Sequence, residues 1–128
     1  MARYDVSCRA MGEDGTRDVS AYLPLTPALF HVLLSLADGQ KHGYAILKEV
    51  SDRTAGQVEL STGTLYGIIK RRLADGLIRE SALGSTDRRR AYRLTAFGRK
   101  VALAEAERHR DLVAVALNKK LLLDPAQG

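Results

Sequence analysis

One cysteine and no tryptophan occur among the 128 residues, and aromatic side chains make up only 5% of them. A lone Cys8 cannot close an internal disulfide, and it points to a reducing compartment. It cannot build a zinc finger either. His31, His42 and His109 stand in no spacing, with Cys8 or with one another, that suits a nucleophile or a metal-ligand set, and no glycine-rich phosphate loop is present. Catalysis, a bound metal and an organic cofactor are therefore not expected. Without tryptophan, no ligand can be sandwiched between indole rings. The opening residues, MARYDVSCRAMGEDG, have no apolar run of signal-peptide length, and no segment is apolar enough to span a bilayer. A cytoplasmic protein with no membrane partner is the expectation. Internal repeats and low-complexity tracts are absent too.

What is present is one domain's worth of chain with enough apolar residues, 45%, for a modest core. The net charge is +5, unevenly spread. Between Ser61 and Lys100 ten basic residues face three acidic ones, a net +7, which leaves −2 for the rest of the chain. A localised excess of this kind implies a basic patch rather than a generally basic protein.

Residues 1–22 mix charges, glycines and small residues without a clear period, which reads as a loose arm with at most one short ordered piece. Helical patterning begins at LTPALFHVLLSLADG. Thr26 suits an N-cap, Pro27 the first helical position and Gly39 the stop, with Leu29, Val32, Leu33 and Leu36 on one face. A second helix fits Tyr44 to about Arg53, broken by Thr54-Ala-Gly56. Ser61 or Thr62 caps a third helix that ends before Gly76. Its apolar stripe is Leu65, Ile68, Ile69 and Leu73. Leu77 to Leu83 reads as a strand, Gly84 to Asp87 as a turn and Arg90 to Leu94 as a returning strand. Thr95 caps a long last helix reaching about Leu122.

The order helix, helix, helix, strand, strand, helix describes a mainly α chain with a small β-hairpin: a winged helix-turn-helix with an added C-terminal helix. A recognition helix needs one face that anchors it and another slim and polar enough for a DNA major groove. The third helix offers Thr62, Gly63 and Gly67 for close approach, Tyr66 for a phosphate or sugar, and Lys70 and Arg71 for a guanine edge or phosphate. The Arg88-Arg89-Arg90 tip is placed to reach flanking phosphates or a minor groove. Lys41 and His42 precede the second helix, whose first NH groups can hold a phosphate.

Four pieces of the sequence closely resemble the PadR family of transcriptional regulators. They are His42-Gly43-Tyr44, Leu60-Ser61-Thr62-Gly63-Thr64-Leu65-Tyr66, Asp75-Gly76-Leu77-Ile78, and Arg90-Ala91-Tyr92-Arg93-Leu94-Thr95 with Gly98. Each is weak alone, but the four in this order and spacing are specific. The resemblance covers about residues 25–122. It implies a homodimeric winged-helix repressor on an inverted-repeat operator, of the smaller kind with a single terminal helix. It also implies that Tyr44, Ser61, Thr64, Tyr66, Lys70 and the wing arginines contact double-stranded DNA. The family commonly has proline where this chain has Thr62 and again at Gly67, and residues 1–22 exceed its usual start.

A long terminal helix with an apolar stripe at Leu103, Ala106, Val113, Leu117 and Leu121 cannot bury that stripe on so small a domain. A partner helix is the economical solution, aided by Leu29 and Leu33 of the first helix, and two-fold symmetry then sets two recognition helices on successive turns of a pseudo-palindromic operator. The expected organisation is an arm over 1–22, a winged helix over 23–95, a dimerisation helix over 96–123 and a tail over 124–128. Family likeness also implies an effector, a small hydrophobic or phenolic molecule held at the dimer interface. The competing reading is a winged-helix adaptor whose basic face meets an acidic protein partner.

Overall fold

The computed structural model describes residues 18–81 and 90–123. Local capping chemistry sets most of its boundaries. Thr26 caps α1 (Pro27–Ser35), its Oγ1 accepting from the Leu29 amide at 3.2 Å, and Pro27 occupies the first turn. The helix stops earlier than Gly39: it closes at Leu36, and Gly39 takes the connecting turn at φ 144°. The chain then forms β1 (Lys41–His42) and enters α2 (Gly43–Arg53). Ala55 and Gly56, both at positive φ, end that helix.

Ser61 caps α3 (Thr62–Asp75) by accepting from the Thr64 amide. Gly76 stops α3 at φ 80°, with Leu77 N–H donating to Arg72 O and Gly76 N–H to Leu73 O. This paired closure needs a left-handed residue, which glycine supplies without a Cβ clash. β2 (Ile78–Ser81) and β3 (Ala91–Leu94) follow, and Thr95 caps α4 (Ala96–Asn118) through the Gly98 amide.

The described sheet has three antiparallel strands in the order β1-β3-β2, one more than the expected hairpin. Lys41 pairs with Tyr92 and His42 with Ala91, so β3 lies in the middle. A two-residue strand carries no alternation of its own, and only its partner makes it a strand. The core is built from inward faces spaced at three and four residues: Val32, Leu33 and Leu36, Ile46 and Val50, Leu65 and Ile69, with Leu77, Ile78, Tyr92 and Val101 closing it. Gly98 lets α4 lie directly on the start of β2, since a Cβ there would run into the Leu77 carbonyl.

Val19–Tyr22 forms a 3-10 turn against α4, with the Tyr22 ring edge-on to Phe97 at 5.6 Å, a short ordered piece of the kind allowed for within residues 1–22. α4 ends at Asn118 rather than near Leu122.

Candidate nucleic-acid interface

The outward face of α3 is what the third-helix pattern anticipates. Leu65 and Ile69 are buried, whereas Thr62, Gly63, Thr64, Tyr66, Gly67, Lys70 and Arg71 are exposed. A Cβ built on Gly63 or Gly67 would meet nothing within 4 Å. Neither glycine has a positive φ, so no intramolecular packing or backbone conformation demands it. Ser61 and Thr64 hydrogen-bond to each other at 2.9 Å between hydroxyls at the exposed start of the helix.

Several cations elsewhere are paired with acids. Lys48 meets Asp52, Arg53 meets Glu49, Arg72 meets Asp75, and Arg108 meets Glu105. Lys70 and Arg71, by contrast, have no ion pair or side-chain hydrogen bond among the described residues. Arg72, one position further round the helix, turns towards the protein.

Lys41 departs from its expected place beside an incoming phosphate. Its ammonium donates to Ser35 O at 2.7 Å and sits 2.5 Å from Asp38 Oδ1 and 3.4 Å from Glu49 Oε1. The hydrogen bond to Asp38 raises the lysine's pKa above its usual value, burial opposes this, and the Glu49 and Asp38 charges add to the rise. Lys41 therefore ties the end of α1 to α2. Arg53 extends the same network, donating to His31 O and Ser35 Oγ. Burial, then the Arg53 charge, lower the His31 pKa. Its neutral Nδ1 can accept from Arg53 Nε at 3.4 Å.

His42 stays exposed, with Nδ1 3.3 Å from Arg90 O, and gives no side-chain cap to α2. Tyr44, in the first turn of α2, is 73% exposed.

In the wing, Arg88 and Arg89 lie outside the described residues. Arg90 is exposed and pairs with Glu80 at 3.1 Å. Arg79 and Arg93, not singled out as site residues from the sequence, stand directly opposite each other on β2 and β3, exposed and without an acidic partner among the described residues. Like charges in register cost a sheet about 0.2–1 kcal/mol, so this pair has no stability rationale of its own. The turn expected over residues 84–87 would set Arg79 opposite Tyr92, so sequence offsets alone do not reveal the pair.

The expected dimer surface divides in two. Leu103, Ala106 and Val113 are exposed along α4, Leu117 is half-buried, and Leu121 lies exposed beyond the helix end. Leu29 and Leu33 belong instead to the chain's own core, 8% and 0% exposed, which corrects their assignment to a dimer interface. α4 buries Gly98, Val101, Ala102 and Glu105 on the opposite, inward face. Its length, 23 residues, is about 35 Å at 1.5 Å per residue, and its C-terminal half runs clear of the core.

Between α1 and α4 a cleft of about 390 Å³ is lined by Leu25, Phe30, His31, Leu34, Arg108 and His109, with Glu105 at its base. The His109 ring stacks on Phe30 at 5.1 Å. Burial pushes the Glu105 carboxyl up, but hydrogen bonds from Arg108 and the Leu25 amide, with the Arg108 and His109 charges, outweigh it and hold the carboxyl below its usual value.

Three helices, a three-stranded sheet whose outer strands flank β3, and an exposed slim face on the third helix define a winged helix-turn-helix, the class of DNA-binding transcriptional regulators. The chain belongs to the transcriptional regulator PadR-like family, whose model matches residues 32–104. Members of this family are transcriptional regulators rather than enzymes. No curated protein matches the chain significantly.

Solved structures do match. A transcriptional regulator from Clostridium thermocellum is 27% identical with a TM-score of 0.60, over 79% of this chain and 94% of that one. A PadR family transcription regulator from Clostridium difficile is 24% identical with a TM-score of 0.59, over 73% of this chain and 97% of that one. Bacillus subtilis PadR, solved in complex with operator DNA, shares the fold at 20% identity and a TM-score of 0.54, over 63% of this chain and 47% of that one. Among the described residues no helix is long and apolar enough to cross a membrane.

Proposed function

We propose that this PadR-like regulator is a repressor that binds an inverted-repeat DNA operator as a homodimer, with α3 in the major groove. The observation that carries the reading is the outward face of α3. It combines two glycines facing open space with two cations that no described residue neutralises. A helix of about 10–12 Å diameter fits a major groove about 12 Å wide only closely, so small residues on the entering face are an advantage. Lys70 and Arg71 then meet base edges or phosphates. Ser61, Thr62, Thr64 and Tyr66 contact the backbone near the start of α3, and Tyr44 and His42 do so from α2. Arg88, Arg89 and Arg90 supply wing contacts, and Arg79 and Arg93 add positive charge to the exposed face of the wing strands. Lys41 acts from within, bracing α1 against α2.

Two-fold pairing through Leu103, Ala106, Val113 and Leu117 of α4 gives each dimer two recognition helices. Domain roles follow: residues 23–95 bind DNA and 96–123 pair the subunits. A small hydrophobic or phenolic effector would find apolar walls and a partly exposed arginine in the α1–α4 cleft. Competition decides between this reading and an adaptor for an acidic protein. A repressor prefers its operator to random duplex by at least about 10³-fold at physiological salt. Equal binding to all duplexes would refute the reading. Sedimentation at micromolar concentration should give a dimer; a monomer that still binds specifically would refute the α4 pairing.

A further inference from the structure

The geometry points to Gly43 as a positioning residue for DNA binding: its missing side chain leaves the space in which the Tyr66 ring end is held for contact with the duplex. This rests on the DNA-binding reading above. Gly43 is the first residue of α2 and is buried. A Cβ placed on it would overlap the Tyr66 hydroxyl oxygen and lie 2.9 Å from Cζ and 3.5 Å from Cε1. Real Cβ atoms do not approach so closely, so any other residue here must displace the ring. The Gly43 backbone is not in the left-handed region, so space and not conformation requires the glycine.

Tyr66 comes from α3 and so bridges the two helices of the helix-turn-helix. Tyr92 of β3 is nearly buried. Burial raises the Tyr92 pKa, and the neighbouring Tyr66 phenol and Glu80 add to the rise against Arg90. The Tyr66 ring end thus lies against Gly43 of α2, yet the residue remains 43% exposed, and its hydroxyl makes no hydrogen bond among the described residues. A ring clamped at its end with an unused hydroxyl is suited to meet an external acceptor in one geometry. Glycine at 43 sets that geometry.

A double-substitution cycle tests this in the full-length chain, using a duplex enriched from a random pool and a random duplex as probes. Gly43→Ala and Tyr66→Ala should each weaken the enriched duplex about ten-fold and shrink its advantage over the random duplex. The double variant should bind no worse than Tyr66→Ala, because the alanine methyl then has nothing to displace. A Gly43→Ala protein that folds and discriminates like wild type would overturn the proposal, and so would losses that multiply in the double variant. Should Gly43→Ala not fold, the comparison of the double variant with Tyr66→Ala carries the same decision. Melting temperatures of the four proteins separate the Gly43–Tyr66 contact from DNA binding. If wild type shows no sequence preference, the DNA-binding reading fails. The Gly43–Tyr66 contact then still stands or falls on whether the melting shifts are non-additive.

Discussion

Replacing Gly67 by alanine should move stability and DNA affinity in opposite directions. Gly67 lies in the interior of α3, exposed, with open space where a Cβ would sit. The added methyl therefore meets no protein atom, and the helix gains the difference in propensity, about 1 kcal/mol. With about 2.1 cal/mol/K of unfolding entropy per residue, a gain of that order raises the melting temperature of a 128-residue chain by roughly 4 °C. On DNA the same methyl occupies the slim face that enters the groove, one turn from Lys70 and beside Tyr66. If the backbone of α3 approaches the duplex there, the methyl must push the helix outward and lengthen every contact on either side. A ten-fold loss in affinity, about 1.4 kcal/mol, is the expected scale. Thermal denaturation and fluorescence anisotropy on the enriched duplex measure the two effects separately. A variant that gains stability and binds as before would refute close approach at Gly67. A variant that loses stability would refute the open surroundings of the residue.

Other substitutions probe the remaining contacts. Gly98→Ala should cost about 1–3 kcal/mol of stability by chemical denaturation, since its methyl must drive α4 off the Leu77 carbonyl. Glu105 is held charged, so its contribution to stability is complete above its usual value of 4.5 and is lost as the pH falls through the lower folded value. Glu105→Gln should therefore be less stable than wild type at pH 7, with the gap closing below about pH 4.5 in urea melts; a gap independent of pH would contradict the ionised, paired state. Arg79→Glu should replace a cross-strand repulsion by an attraction and stabilise the wing by up to about 1 kcal/mol. It should also weaken all duplexes similarly and flatten the dependence of binding on salt, and an unchanged salt slope would remove Arg79 from the DNA face.

Much of the fold was legible because this chain marks its helix ends chemically. Thr26-Pro27, Ser61 and Thr95 are capping signals that work locally, and Gly76 is a stop whose left-handed turn needs no tertiary support. What could not be read depends on partners distant in sequence. β1 is a strand only because β3 pairs with it. Lys41 resembles any surface lysine until Asp38 and Glu49 converge on it. Leu29 and Leu33 show the same three-and-four spacing as a dimer stripe, because periodicity marks a buried face without saying what covers it. The exposed face of α3 was legible for the opposite reason: polar and small residues at helical spacing leave few other places for that face to point. Gly43 stood in a family-like motif without a stated reason, because the atom that requires it, the Tyr66 hydroxyl, lies 23 positions along the chain.

Selection of bound sequences from a random duplex pool tests the central claim most directly. The account predicts enrichment of an inverted repeat whose half-sites are centred about one helical turn, 10–10.5 base pairs, or a multiple of it apart. Substitution of Lys70 should change the bases preferred within each half-site while leaving the spacing intact. A pool that emerges without a consensus, or with a consensus that lacks two-fold symmetry, would contradict the account of two α3 helices reading one operator.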